Sequence, residues 1–330
     1  MQQVPTARVG GTTSAAEAEA HRKSLRLARR IVIKVGTPVI THVDGNLALA
    51  RVGSLVEQIA RMRQEGRDVV IVTSGAISTG AIKMRKSMTL KASLADTIHQ
   101  RLDDVDVDSA AASAVGQALL MNMYETLFSK YNLSCAQVLI TEDDVNNSET
   151  LGQVCDTTME LMQLGTIPII NDNDAVTQRS VPVYNEQTGE VSWDNDILAS
   201  TIAVSLRADL LVMLTDLDAL YEAKSADELA EPVRLATFNP EAKLVRTGIT
   251  SGFMLLSDWG RGAFAGRTRM AADGMENLVD AARSAVEGGV RAAVVTTGHH
   301  PLSVLHVLRG VDIGTLFVAK STAPSIAARL

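Results

Sequence analysis

The sequence predicts an α/β fold, a three-layer sandwich with a mainly parallel central sheet and helices on both faces. Three observations carry that prediction. Apolar runs of strand length alternate with segments of helical periodicity along the body of the chain. Several of the strand runs, such as VVIVT at 69–73, are continuously apolar, the pattern of strands buried on both faces. The core must also be aliphatic, because 46% of the 330 residues are hydrophobic and only 3% aromatic, while 23 Gly and 8 Pro supply the short turns of a layered fold.

Taken in order, residues 31–35 form a β-branched run closed by Gly36. Leu49, Val52, Leu55, Val56, Ile59 and Met62 recur at three- and four-residue spacing and line one face of a helix ending near Gly66. After the strand at 69–73, the pattern continues with a helix around 110–129, a strand at 136–141, a helix around 150–164 and a strand at 166–170. A helix at 196–206 and a strand at 209–215 follow. Beyond a polar stretch come a helix at about 268–287, a strand at 291–297, a short helix at 301–308 and a last strand near 312–318. The spans 85–109, 171–195 and 222–262 read as long polar connections, of the kind that become lids, binding loops or oligomer contacts. Residues 1–24 read as a disordered tail, 25–319 as one domain and 320–330 as a C-terminal tail.

Composition narrows the partners. A formal charge of −7, from 31 Lys plus Arg against 38 Asp plus Glu, disfavours a broad phosphate-backbone ligand, and the scarcity of aromatic rings disfavours base stacking. No nucleic-acid partner is expected. No apolar run reaches the roughly 18 residues of a spanning helix, so no membrane partner is expected either. Cys135 and Cys155 lack metal or disulfide spacing and read as core thiols. The N-terminal segment has no hydrophobic h-region, which makes the cytoplasm the expected location. The ending Ala328-Arg329-Leu330 loosely resembles a peroxisomal address of the S-K-L type, leaving a peroxisome-type organelle as an alternative.

Ligands of open α/β sheets sit beyond the carboxyl ends of the strands, so the residues there carry the functional reading. The first strand holds Lys34 and leads into Gly36-Thr37; the second ends in Ser74-Gly75-Ala76; the strand at 166–170 ends in Asn171-Asp172-Asn173-Asp174. The helix near 196 opens with Asp194-Asn195-Asp196, and the strand at 209–215 ends in Thr215-Asp216. Small turns with a lysine suit a polyphosphate, because backbone N–H groups approach its oxygens while the ammonium adds a point charge. Clustered Asp and Asn suit Mg²⁺ or the amine and carboxylate of a small substrate. Each feature also has a plain structural reading: Asp194 or Asn195 as a helix N-cap, Asn171 to Asp174 as an Asx turn, Ser74-Gly75 as an ordinary turn. Their agreement across five strand ends favours a site. There is no GxxxxGK[ST], and Gly260-Arg261-Gly262 with Gly266 is one residue off the GxGxxG spacing, so P-loop and dinucleotide folds are excluded or disfavoured.

The segments IKVGT at 33–37, VTSGAI at 72–77, VGQALLMNMYETLF at 115–128, IPIINDNDAV at 167–176, WDNDILAS at 193–200, LLVMLTDLDALY at 210–221 and GVDIGTLF at 310–317 resemble the glutamate 5-kinase (γ-glutamyl kinase) family of the amino-acid kinase superfamily. The likeness runs in order over about residues 30–318. It implies the amino-acid kinase fold and ATP-dependent phosphorylation of the γ-carboxylate of L-glutamate, the first step towards proline. It implies catalytic roles for Lys34, Asp196 and Arg267, with Asp196 orienting the cations. Glutamate would be held by Ser74, Gly75, Ala76, Asn171, Asp174 and Asn195. ATP would be held by Lys34, Gly36, Thr37, Thr215, Asp216, Gly260, Gly262 and Arg267, with Mg²⁺ on its phosphates and no protein ligand assigned to the metal. Proline as feedback inhibitor and a homo-oligomer, dimer or tetramer, are also implied.

The sequence departs from the family in three places. The glycine-rich segment reads GRGAFAGR at 260–267, with Ala263 for Gly, Phe264 for Met and Arg267 where a phosphate-binding Lys is usual. A one-residue insertion before Ala271-Ala272 leaves Thr268 or Arg269 as alternative occupants of that position. Pro38 follows Thr37 and removes one N–H from the first phosphate turn. Third, the chain ends soon after the kinase body, so neither a C-terminal PUA domain nor the reductase half of a bifunctional enzyme is expected in it. Alternative functions are a superfamily kinase with another small acceptor, and a catalytically weakened ATP- or amino-acid-sensing protein.

Overall fold

Residues 15–42, 44–91, 107–177, 194–222, 233–238 and 268–319 are described by the computed structural model. In chain order, α1 (Ala15–Ser24) and one 3₁₀ turn (Leu25–Leu27) lead into β1 (Arg30–Val35), α2 (Thr37–Ile40) and α3 (Leu49–Gln64). Next come β2 (Asp68–Thr73), α4 (Ala76–Lys91), α5 (Ser109–Ser129), β3 (Cys135–Ile140), α6 (Glu142–Asn146), α7 (Ser148–Gln163) and β4 (Ile167–Asp172). The remainder is α8 (Asn195–Ser205), β5 (Leu210–Thr215), the short β6 (Tyr221–Glu222), β7 (Val233–Arg234) and β8 (Thr237–Phe238), α9 (Thr268–Glu287), β9 (Ala292–Thr297), α10 (Ser303–Leu308) and β10 (Thr315–Phe317).

The chain divides into two units, one of residues 33–198 and the other of 1–32 with 199–330. In the first, the strand order is β3-β4-β2-β1. β2 and β3 both run parallel to β4, in registers that pair Ile71 with Ile169 and Cys135 with Ile167. Their carboxyl ends therefore collect at one edge, where Asn173 N–H donates to the Ile140 carbonyl at 2.9 Å. In the second unit the order is β5-β9-β10-β8, with β5–β9 and β10–β8 parallel and β9–β10 antiparallel. The predicted mainly parallel sheet is thus observed.

The reason these segments are strands is visible in their burial. Ile31, Val32, Ile33 and Val35 of β1 and Val70, Ile71 and Val72 of β2 have no exposed surface, as β-branched residues between two helical layers should. β3, which ends its strand order, is half-exposed along most of its length. Four aromatic rings sit in the core, with Tyr124 stacked on Phe128 and Phe238 against Phe317, while Tyr131 is exposed. Cys155 is buried, as expected of a core thiol, whereas Cys135 on the edge strand β3 is only half-buried; burial pushes its thiol up to about 11. Among the described residues no helix is long and apolar enough to cross a membrane.

Three expectations need correction. Residues 15–24, read as part of a disordered tail, form α1. The cause is Arg22, which is 3% exposed and donates to the Ala236 carbonyl at 2.6 Å and the Ile313 carbonyl at 2.8 Å. The span 85–109 is helical through Lys91, because α4 packs by small residues and lacks the aliphatic stripe that marks α3. The span 222–262, read as a polar connection, contains the short strands β7 and β8, and β8 pairs with β10.

Candidate active site

Lys34 is the penultimate residue of β1 and only 8% exposed. Its Nζ lies 2.7 Å from Asp196 Oδ1, and each side chain is 10% exposed. Burial pushes the Asp196 carboxyl above its ordinary range; Lys34 pulls it back and Asp194 pushes it further up. An ammonium carries more donors than one carboxylate oxygen can use, so among the described residues Lys34 has donors in excess of this pair.

Asp196 is held by the start of α8. Asp194 Oδ1 accepts the backbone N–H of Asp196 at 2.8 Å and of Ile197 at 3.0 Å, which makes Asp194 the N-cap. The two readings of the Asp194-Asn195-Asp196 triplet therefore separate: Asp194 caps the helix, and Asn195 does not. Asn195 Oδ1 is buried and has no hydrogen-bond partner among the described residues.

The first two strand ends meet. Gly75 has φ +90°, a conformation that L side chains rarely adopt, and a Cβ built on it would lie 3.7 Å from the Thr37 methyl. The Ser74-Gly75-Ala76 turn thus packs on Gly36-Thr37, with Ser74 and Ala76 buried. Gly36 has ordinary extended dihedrals and precedes α2, whose second residue is Pro38. Val39 N–H is engaged with the Gly36 carbonyl at 2.9 Å, so this turn offers fewer free amides than a full phosphate cradle.

At the end of β4, Asn171 is 1% exposed; its Nδ2 donates to Gln117 Oε1 at 2.8 Å, and its Oδ1 accepts the Asp172 N–H at 3.0 Å. Gln117, on α5, was not among the predicted site residues. Its signal was a polar side chain on a helix face otherwise made of Ala112, Ser113, Gly116 and Leu120, all buried. Gln117 Nε2 is a buried donor with no partner among the described residues. Burial pushes the Asp174 carboxyl up to about 6. Residues 33–198 hold Lys34, Gly36, Thr37, Ser74, Gly75, Ala76, Asn171, Asp174, Asn195 and Asp196.

Thr215 and Asp216 belong to the other unit. Thr215 Oγ1 donates to Asp216 Oδ1 at 2.9 Å, and Gly298 N–H donates to the Thr215 carbonyl at 2.7 Å. Gly260, Gly262 and Arg267 lie outside the described residues, as does the C-terminal tripeptide; Thr268 and Arg269 open α9.

Residues 29–297 match the amino acid kinase family. The chain belongs to that family. As an amino acid kinase it is similar to the glutamate 5-kinase of Symbiobacterium thermophilum, 36% identical over 300 residues that cover 90% of this chain and 98% of that one. The glutamate 5-kinase of Clostridium perfringens is 31% identical over 302 residues, covering 91% and 98%. The delta-1-pyrroline-5-carboxylate synthase of Mesembryanthemum crystallinum is 36% identical over 299 residues, which are 91% of this chain and 38% of the synthase, so this chain spans well under half of that protein. Among solved structures, carbamate kinase from Giardia lamblia bound to AMP-PNP superposes with a TM-score of 0.53 at 15% identity, covering 89% of this chain and 99% of that one. That likeness shows the amino acid kinase fold alone.

Proposed function

We propose that this amino acid kinase is a glutamate 5-kinase, transferring the γ-phosphoryl group of ATP to the γ-carboxylate of L-glutamate at the head of proline synthesis. The observation that carries the proposal is the buried Lys34–Asp196 pair at the end of β1, in a unit whose neighbouring strand ends hold an amino-acid-like set of donors and acceptors. The full-length similarity to bacterial glutamate 5-kinases supports the choice of acceptor.

A γ-carboxylate is already ionised at neutral pH, so the reaction needs no general base. A carboxylate oxygen forms a bond to the γ-phosphorus as the bond to the β-phosphate oxygen breaks, and ADP leaves. The obstacle is the approach of two anions, and the remedy is fixed positive charge on the phosphoryl oxygens. Lys34 supplies that charge in this proposal, and Asp196 holds the ammonium in place without accepting a proton. Arg267 supplies a second cation, with a planar fork where a compact ammonium is usual. The resemblance to the family also assigns Gly36, Thr37, Thr215, Asp216, Gly260 and Gly262 to nucleotide binding.

For glutamate, the Asp174 carboxylate and the unpartnered Asn195 Oδ1 are acceptors suited to an α-ammonium group. Ser74-Gly75-Ala76 and Gln117, backed by Asn171, offer donors suited to carboxylates. Mg²⁺ bound to ATP would neutralise its β- and γ-phosphates. Among the described residues no group of three or more His, Cys, Asp or Glu is placed to hold a metal. Proline inhibition and a homo-oligomeric, cytoplasmic enzyme belong to the same proposal.

The test is ADP release by purified protein with ATP and Mg²⁺ across glutamate, acetylglutamate and carbamate, with and without proline. Glutamate-dependent turnover is expected. Turnover confined to another acceptor, or tight ATP and glutamate binding without turnover, overturns the reading.

A further inference from the structure

Helices α4 and α5 approach each other through glycine in both directions. A Cβ built on Gly80 would overlap the Ala112 carbonyl and lie 2.7 Å from the Gly116 backbone nitrogen. A Cβ built on Gly116 would overlap the Ala76 carbonyl and lie 2.8 Å from the Gly80 nitrogen. Neither glycine has a positive φ, so the requirement is for space and not for backbone conformation. This backbone-to-backbone contact is much closer than ordinary helix packing through side chains, which holds axes about 8–10 Å apart.

The contact joins two parts of the proposed glutamate site. Ala76, whose carbonyl meets Gly116, ends the Ser74-Gly75-Ala76 turn and begins α4. Gln117, the residue after Gly116, holds the Asn171 side chain and leaves a buried donor unpartnered among the described residues. The distance between the turn and Gln117 is thus set by main-chain contact at Gly80 and Gly116. We propose that Gly80 and Gly116 are positioning residues that set the reach of the acceptor site, and with it the length of dicarboxylic amino acid that is phosphorylated. This deepens the glutamate kinase reading and rests on it.

A methyl group at either glycine forces the helices apart by roughly 1 Å, a displacement of the size that costs about a hundredfold in rate when it separates positioning groups. Gly116→Ala should lower kcat/KM for glutamate by about a hundredfold, through KM more than kcat, and leave KM for ATP unchanged. The preference for glutamate over the one-methylene-longer 2-aminoadipate should narrow in the same variant. A merely structural role would lower the folded fraction and leave both KM values and the acceptor preference as they are. If Gly116→Ala fails to fold, Ala112→Gly adds no atom and instead loosens the α5 backbone whose carbonyl at residue 112 meets Gly80. Its glutamate KM should rise roughly threefold or more, with ATP KM constant. Unchanged glutamate KM and acceptor preference in the folded variants overturn the proposal. Asn195→Ala separates the two levels: if it raises glutamate KM while Gly116→Ala does not, only the positioning role falls. If Asn195→Ala leaves glutamate KM unchanged, the acceptor-site reading falls and the positioning role falls with it.

Discussion

Each of the two units buries a basic side chain, and they treat it in opposite ways. In residues 1–32 with 199–330, Arg22 is saturated: it donates to the carbonyls of Ala236, Val311, Ile313 and Gly314 and pairs with Asp312. In residues 33–198, Lys34 is equally buried yet meets one carboxylate oxygen, that of Asp196. A guanidinium whose two terminal nitrogens are engaged by backbone carbonyls and a carboxylate holds a fold together. An ammonium with donors left over among the described residues, at a strand end, is free to serve the ligand proposed above. The difference gives Arg22 a structural role and makes Lys34 the cation proposed for catalysis.

The largest expected effect breaks the comparison at Lys34. Lys34→Met should lower glutamate-dependent ADP release by about a thousandfold or more while the protein stays folded. Folding is expected to survive because the partner left behind is a carboxyl already raised by burial, which can neutralise itself by taking a proton. Arg22→Met should do the reverse. Its loss strands several buried carbonyls and lowers stability by about 3 kcal/mol, while activity per folded molecule is retained, as unfolding curves and active-site titration would report.

Asp196→Asn comes next. It removes the charge that orients Lys34 without emptying the space, and kcat should fall by about a hundredfold with KM for either substrate little changed. An unchanged kcat would leave Asp196 with a structural role only.

How far all this could be read from sequence depends on the distance over which each residue acts. The placement of Lys34 and Ser74 at strand ends was legible because the β-branched runs of β1 and β2 mark where each strand stops. α1 was not, because what orders it is Arg22 reaching carbonyls 214 and 291 positions away. α4 as a whole was illegible, since it packs closely at Gly80 and lacks the clear aliphatic periodicity of α3. Gln117 lay in plain view inside the VGQALLM segment, but its pairing with Asn171 joins residues 54 apart. The Asp194-Asn195-Asp196 triplet gave two readings from sequence, and hydrogen-bond geometry divided the roles between neighbours.

A smaller, pH-dependent effect sharpens the comparison at Asp174. Its carboxyl is pushed up to about 6 by burial, above the 3.8 of an unperturbed aspartate. The neutral acid is therefore the form that the fold prefers. Its contribution to stability is full below about pH 3.8 and is lost as pH rises through about 6. Binding an α-ammonium group needs the opposite form, so kcat/KM for glutamate should rise as pH passes upward through about 6. Asp174→Asn should lose that limb of the profile, with a Tm above pH 6 equal to or higher than the parent's. A profile unaltered by the substitution would remove Asp174 from the acceptor site.

The central claim, that Lys34 is held in reserve for the phosphoryl group, meets its most direct test in single-turnover phosphoryl transfer from ATP to glutamate by folded Lys34→Met protein. The account predicts a transfer rate reduced by about a thousandfold, with glutamate affinity near that of the parent. A transfer rate within a few-fold of the parent's would contradict it.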